Sequence, residues 1–204
     1  CGSTNIKFLQ KEVLKNKADF GIAFDGDGDR LIIVDKNAKE LNGDDILFVL
    51  ARDKFENQIT LGSKGIVGTI MTNKGLENSL TKMGVELVRS DVGDRYVLQK
   101  LEELNWDLGG EQSGHIISLD SSNSGDAIIA AIKFLEAYIC SGLSLDQLLK
   151  PFTKYPQILT NVKTKNFEKV LKNKKFQNLL RDTSLNLKKF DGRVNVRPSG
   201  TEPL

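Results

Sequence analysis

Apolar and polar positions alternate along the chain in short blocks whose period keeps switching. Residues 6–17 carry apolar positions at helical spacing, and two apolar runs of strand length follow at 20–24 and 31–34. Turns are predicted at Asp35-Lys36-Asn37 and at Asn42-Gly43-Asp44-Asp45, the second leading into a helix that ends near residue 55. From residue 65 to 119 strand and helix patterns alternate. Strands are predicted at 66–71, 85–88 and 116–119. Helices are predicted at 75–83, with Leu76, Leu80 and Met83 on one face, and at 96–104, with Val97, Leu101 and Leu104 on one face. This rhythm predicts a layered α/β domain. A helix over 126–140 closes it, and Ile129, Ile132, Phe134 and Leu135 make that helix apolar enough to predict burial on most sides. Pro151 and Pro156 then interrupt the pattern and mark a domain boundary. Beyond them, 158–162 and 193–197 read as strands and 167–181 as a helix, with Lys169, Lys172, Lys174 and Lys175 on a solvated face.

Composition narrows what such a chain can do. The 204 residues carry a net charge of +2, with 27% charged and 39% hydrophobic positions, an ordinary globular balance that excludes a disordered tail or a collagen-like repeat. So small a net charge leaves no electrostatic footprint for nucleic acid or an anionic membrane. No apolar run approaches the roughly 20 residues needed to span a bilayer. Two cysteines, Cys1 and Cys140, exclude a disulfide scaffold and suit a reducing cytoplasm. His115 is the only histidine, and all four prolines follow residue 150.

Three clusters carry chemistry. The first, Asp25-Gly26-Asp27-Gly28-Asp29-Arg30, lies between two predicted strands. Its glycines let the backbone bend, so that the three carboxylates converge instead of alternating between faces. Convergent carboxylates repel one another unless a divalent cation sits among them, and their hard oxygens favour Mg²⁺, Mn²⁺ or Ca²⁺ over zinc. Arg30 adds a fixed positive charge for a phosphate oxygen. A plain Asp-Gly hairpin turn is the simplest competitor. A calcium-binding EF-hand fails because Arg30 stands where its loop needs glycine and Lys36 where it needs glutamate. A phosphatase of the haloacid-dehalogenase kind, with Asp25 as nucleophile and Asp27 as acid, stays open on local pattern. The second cluster, Gly110-Glu111-Gln112-Ser113-Gly114-His115, supplies the donors and acceptors a polyhydroxy ligand needs, although a lone histidine is often structural. The third, Arg197-Pro198-Ser199-Gly200-Thr201-Glu202-Pro203, has the hydroxyls, closely spaced N–H groups and guanidinium of a phosphate nest, or of a simple turn.

Taken in order, the three clusters resemble the metal, sugar-recognition and phosphate loops of the α-D-phosphohexomutases, enzymes that move phosphate between the 1- and 6-positions of a hexose. The resemblance covers essentially the whole chain and implies layered, mixed-sheet α/β phosphohexomutase domains. Residues 1–40 would be the end of domain 2, 41–152 domain 3, and 153–204 part of an α+β domain 4. Gln112, the segment Val92-Gly93-Asp94-Arg95-Tyr96 and the form of the terminal loop resemble the glucosamine branch. The phosphomannomutase/phosphoglucomutase branch, commonly with methionine in place of Gln112, is the alternative. The resemblance implies Mg²⁺ on Asp25, Asp27 and Asp29, and a hexosamine phosphate substrate exchanged through glucosamine 1,6-bisphosphate. Glu111, Gln112 and Ser113 would hold the sugar, and Arg197, Ser199, Gly200 and Thr201 the non-reacting phosphate. Asp94 and Arg95 would shape the cleft, and Arg30 and His115 would take catalytic roles, His115 in proton transfer. A cytoplasmic enzyme is implied, with no nucleic-acid or membrane partner, and a homodimer of the parent enzyme is compatible with it. One departure is large. The family's phosphoserine loop has a Ser-His-Asn-Pro core that occurs nowhere here, and His115 already belongs to the sugar loop. The chain is therefore read as an interior slice of such an enzyme that shows no turnover alone. A non-catalytic Mg²⁺ or sugar-phosphate binding module and a phosphatase using Asp25 remain as the competing functions.

Overall fold

A computed structural model describes residues 2–3, 5–56, 64–164 and 166–198, in two compact units, Cys1–Lys154 and Tyr155–Leu204. The first unit begins with helix α1 (Lys7–Asn16) against a three-stranded antiparallel sheet, β1 (Phe20–Phe24), β2 (Leu31–Asp35) and β3 (Glu40–Leu41). Helix α2 (Gly43–Glu56) leads to a second sheet of order β5-β4-β6-β7, built from β4 (Gly65–Thr69), β5 (Glu86–Ser90), β6 (Leu108–Gly110) and β7 (Ile116–Ser118). Strand β4 runs parallel to both β5 and β6, and β7 returns antiparallel to β6. The parallel strands are connected through α3 (Lys74–Lys82) and α4 (Asp94–Leu104), and α5 (Ala127–Ser141) and α6 (Leu145–Leu149) complete the unit.

The alternating α/β pattern is present, with several differences in detail. The turn expected at 42–45 is the start of α2: Asn42 Oδ1 accepts the Asp44 N–H and Asp45 Oδ2 accepts the Asn42 N–H, a reciprocal cap. Strands β3 and β6 have no counterpart in the apolar pattern. One is two residues long, and the other is Leu108-Gly109-Gly110, with a single side chain larger than hydrogen. The helix enclosed on all sides is α2, where Ile46 through Ala51 are all buried; six consecutive apolar residues leave no polar face to turn outward. Helix α5, expected to be the buried one, is one-sided. Ala127, Ala130, Ala131, Phe134 and Ala137 face inward, while Ile128 and Ile132 are more than half exposed and Ile139 is 72% exposed. Its small inward residues let it lie close against α2 and the two sheets.

The second unit holds α7 (Phe167–Leu171) and α8 (Lys174–Lys188), two helices where one was predicted, because Asn173 caps a new helix with its side chain. Lys169, Lys172, Lys174 and Lys175 are exposed, as the pattern predicted. Neither segment expected to be a strand, 158–162 or 193–197, forms one among the described residues. A strand exists only with a ladder partner, and Ile158, Leu159 and Val162 are 91%, 70% and 68% exposed. No helix among the described residues is long and apolar enough to cross a membrane.

Candidate active site

The Asp-rich segment closes one end of the β1–β2 ladder, where Phe24 lies opposite Leu31. Asp25 Oδ1 accepts the backbone N–H groups of Asp29 (3.2 Å) and Arg30 (3.0 Å), which curls the loop around its first carboxylate. The Gly28 carbonyl accepts the Ala127 N–H at 3.0 Å, fastening the loop to the start of α5. One carboxylate oxygen from each of Asp25, Asp27 and Asp29 lies within 4.8 Å of the others. Burial pushes the Asp25 carboxyl up, but the Arg30 N–H and the contacts from Asp29 outweigh it and hold it below the usual range. Asp29 moves the opposite way: burial raises it, the Asp25 carboxylate raises it further, and His115 only partly offsets them. Asp29 Oδ1 is buried without a hydrogen-bond partner. Three mutually repelling acids and an unpartnered carboxylate oxygen fit a small hard cation. Arg30 Nε lies 3.6 Å from Asp25 Oδ2, with half of the side chain in solvent.

Residues 111–115 form the turn between β6 and β7, where Gly110 faces Ile116. The Glu111 N–H donates to the His115 carbonyl at 2.8 Å and the Gly114 N–H to the Glu111 carbonyl at 3.0 Å. The turn is annealed to the start of β2: the Leu31 N–H donates to the Gly114 carbonyl at 2.9 Å, and Arg30 and His115 form an antiparallel bridge. The Asp-rich and sugar-type loops are thereby held side by side. His115 is only 6% exposed, with Nδ1 3.2 Å from Asp29 Oδ2 and Nε2 4.0 Å from Asp94 Oδ2. Because β4, β5 and β6 are parallel, the loops after all three emerge at the same edge, where open α/β sheets bind ligands. The Gly93 N–H, just before α4, donates to Glu111 Oε2 at 3.0 Å, and this brings the exposed Asp94 and Arg95 beside the turn. Ser113 is exposed at the crown of the turn.

Gln112 behaves differently from its neighbours. Its Nε2 donates to Asp44 Oδ2 at 3.1 Å, toward the start of α2. Asp44 is fully buried and also accepts the Asn73 N–H at 3.0 Å; burial pushes its carboxyl up to about 6 in spite of these bonds. In the sequence Asp44 reads only as part of a turn and Gly93 only as part of the Val92–Tyr96 segment, and Gly125 takes no role. At Gly125 an added Cβ would sit 2.0 Å from His115 Nε2, so only glycine lets that backbone close over the imidazole. Arg197 belongs to the second unit, is exposed, and donates to the Pro198 carbonyl at 3.2 Å. Ser199, Gly200 and Thr201 lie outside the described residues.

Known proteins share both sequence and fold. Residues 42–155 match the family described as phosphoglucomutase/phosphomannomutase, alpha/beta/alpha domain III. The phosphoglucosamine mutase of Aliivibrio fischeri is 45% identical over 203 residues, as is that of Hydrogenovibrio crunogenus over 204 residues. All of this chain is covered in both cases, and it spans 45% of the length of each relative. Among solved structures, N-acetylphosphoglucosamine mutase from Aspergillus fumigatus superposes with a TM-score of 0.74 at 20% identity, over 99% of this chain and 51% of that one. A phosphoglucomutase/phosphomannomutase family protein from Burkholderia thailandensis superposes with a TM-score of 0.64 at 24% identity, over 74% of this chain and 32% of that one. With more than half of its residues matched by the family's third domain, the chain belongs to the phosphoglucomutase/phosphomannomutase family.

Proposed function

We propose that the protein carrying this chain is a phosphoglucosamine mutase, interconverting glucosamine 6-phosphate and glucosamine 1-phosphate through the 1,6-bisphosphate. The observation that carries this reading is the joining of the Asp25–Asp29 loop to the Glu111–His115 turn by the Leu31–Gly114 hydrogen bond and the His115–Asp29 contact. A mutase needs a phosphoryl-handling centre and a sugar grip at a fixed separation, because the same sugar must return in reversed orientation. The glucosamine assignment draws on the 45% identity to relatives of that name and on the A. fumigatus structure, whose complex holds GlcNAc-6P and magnesium. A phosphatase using Asp25 would account for the first loop and leave the second without work.

In this reading Asp25, Asp27 and Asp29 hold Mg²⁺, which when bound neutralises charge on the phosphoryl group in transit. Arg30 stands beside that centre to meet a phosphoryl oxygen. Glu111 keeps one carboxylate oxygen engaged with Gly93 and offers the other, with the Ser113 hydroxyl, to sugar hydroxyls. Asp94 and Arg95 border the turn. His115 holds Asp29 in place; transferring a proton itself would require Nε2 to be uncovered from Gly125. Arg197, Ser199, Gly200 and Thr201 bind the non-reacting phosphate, and Gln112 serves the sugar turn. The reacting phosphoserine comes from elsewhere in the protein, since no Ser-His-Asn-Pro occurs among these residues. Residues 1–40, 41–152 and 153–204 are assigned to the end of domain 2, domain 3 and part of domain 4. The reaction belongs in the cytoplasm, because charged sugar phosphates do not cross a bilayer unaided.

The test is isomerisation of glucosamine 6-phosphate by the full-length protein with Mg²⁺. Turnover should fall by about a hundredfold or more in Asp27→Asn. Preferential turnover of glucose or mannose phosphates would move the assignment to the other branch, and release of inorganic phosphate in place of isomerisation would make it a phosphatase.

A further inference from the structure

Asp44 is a charged side chain with no solvent exposure, placed in the first turn of α2 among groups that have no catalytic work. One oxygen accepts both the Asn73 N–H and the Gln112 side-chain amide, while the other has no partner. Buried carboxylates are costly, and one kept half-satisfied calls for a function that offsets its cost. The surrounding geometry supplies one. The Gly43 N–H donates to the Gln112 carbonyl at 3.0 Å, and a Cβ on Gly43 would lie 1.9 Å from the Glu111 carbonyl oxygen. The start of α2 thus grips the 111–115 turn by backbone and side chain together. Gln112 points into the protein while Glu111 and Ser113, on either side, are left for a ligand.

We propose that Asp44 is a positioning residue for sugar recognition: by capturing the Gln112 amide it fixes the Glu111–Ser113 turn for a hexosamine phosphate. This rests on the proposed function for the turn. It also gives Gln112 a physical role, since a methionine there could not donate to Asp44 and would leave the buried carboxylate one partner poorer. The carboxylate strengthens the hydrogen bond because the acceptor is charged and out of water. Other charges facing it are Asp45, adjacent on α2, and Lys154, which pairs with Asp45.

Two measurements on the 204-residue chain test the proposal separately from the function it serves. The first is amide hydrogen exchange at Gly43, Gly93 and Gly114, with Val67 and Phe134 as core references. Asp44→Ala and Gln112→Met should each speed exchange at the three glycines by about tenfold, and the double variant should be no faster than either single one. Asp44→Asn, which keeps an acceptor oxygen, should restore most of the protection. If Asp44→Ala fails to fold, Gln112→Met carries the exchange test alone, because it removes the same hydrogen bond from the other side. Unchanged exchange at the glycines, or fully additive effects, would overturn the proposal. The second measurement is the shift of the Glu111 and Ser113 amide resonances on titration with glucosamine 6-phosphate, where Gln112→Met should weaken binding about fivefold or more. Unweakened binding by Gln112→Met would overturn the link to recognition. Absence of any shift in the unaltered chain would overturn the reading of the turn as a sugar site, leaving the exchange cycle to decide whether Asp44 fixes it.

Discussion

Gly125 and His115 show how little space separates structure from chemistry in this site. The imidazole is pinned between Asp29 on one side and the Gly125 backbone on the other. Gly125→Ala should drive His115 away from Asp29 and lower Mg²⁺ affinity by about tenfold, the usual scale for removing a group that orients a metal ligand. Calorimetric titration of Mg²⁺ into the 204-residue chain checks it, and affinity equal to that of the unaltered chain would show that Asp29 needs no such support. Asp44 yields a pH signature of opposite character. Its folded-state value of about 6 lies above the ordinary 3.8, so between those values the folded protein holds a proton that the unfolded chain releases. Stability contributed by this group is therefore present at low pH and lost as pH rises through 6, by roughly 3 kcal/mol for such a rise. Relative to the unaltered chain, Asp44→Asn should gain up to roughly that amount between about pH 4 and pH 7 in urea unfolding. A difference that stays flat with pH would mean that Asp44 titrates normally. The same residue marks the limit of what the sequence showed. The Asp25–Asp29 and Glu111–His115 clusters were legible because each draws on side chains within a few positions of one another. Asp44 acts on a partner 68 residues away, and only the packing of α2 against the 111–115 turn brings the two together.

At the level of elements, helix α2 decides how the first unit holds together, and one polar residue near its end anchors it. Lys54 is 8% exposed, its ammonium bonded to Asp107 just before β6 and 3.8 Å from Asp120 just after β7. Lys133 of α5 meets Asp120 with both carboxylate oxygens at 2.8 Å. Burial pushes Asp120 up, but Lys133, Ser118 and the charge of Lys54 outweigh it and hold it at about 2. Being lowered, this carboxylate contributes stability above the ordinary value of 3.8 that fades as pH falls through 2. Removing one member of such a network strands the others. Lys54→Ala should cost about 3 kcal/mol near neutral pH, measured by urea unfolding; a cost below about 1 kcal/mol would show that water reaches the pair and screens it. The strand that this network braces, β6, was invisible in the apolar pattern because Gly109 and Gly110 have no side chains to form one. Its position follows from pairing with β4 and β7, a long-range property that local periodicity does not carry. Burial of α5 was misjudged for a related reason. Its isoleucines suggested enclosure, yet apart from Phe134 the contact face is made of alanines, whose small size permits close approach to α2.

Across the whole molecule the two units differ in what could hold each of them folded. Every buried apolar side chain among the described residues lies at or before Leu148, so the first unit owns the core, a large cluster around α2 and both sheets and a smaller one of Val67, Val97, Leu101, Trp106 and Ile117. The second unit, among its described residues, has no buried side chain and no strand. Its helix α8 leaves Leu179 and Leu185 more than half exposed, and Phe190 just beyond it is 79% exposed. Helices of this length are marginal in water without tertiary packing, and exposed backbone outside helix and sheet offers itself to proteases. Limited proteolysis of the intact chain should therefore cut first within 155–164, where Tyr155, Leu159 and Lys163 suit common proteases. A fragment ending near residue 154 should accumulate while the second unit is degraded. Under the same conditions cleavage inside α2 or β4 should be slower by about a hundredfold or more, because reaching those bonds requires opening the core. The outcome is read by intact mass. First cuts within the core of the first unit, with 155–198 left whole, would show that the second unit carries packing of its own and that the difference in burial does not set their stabilities.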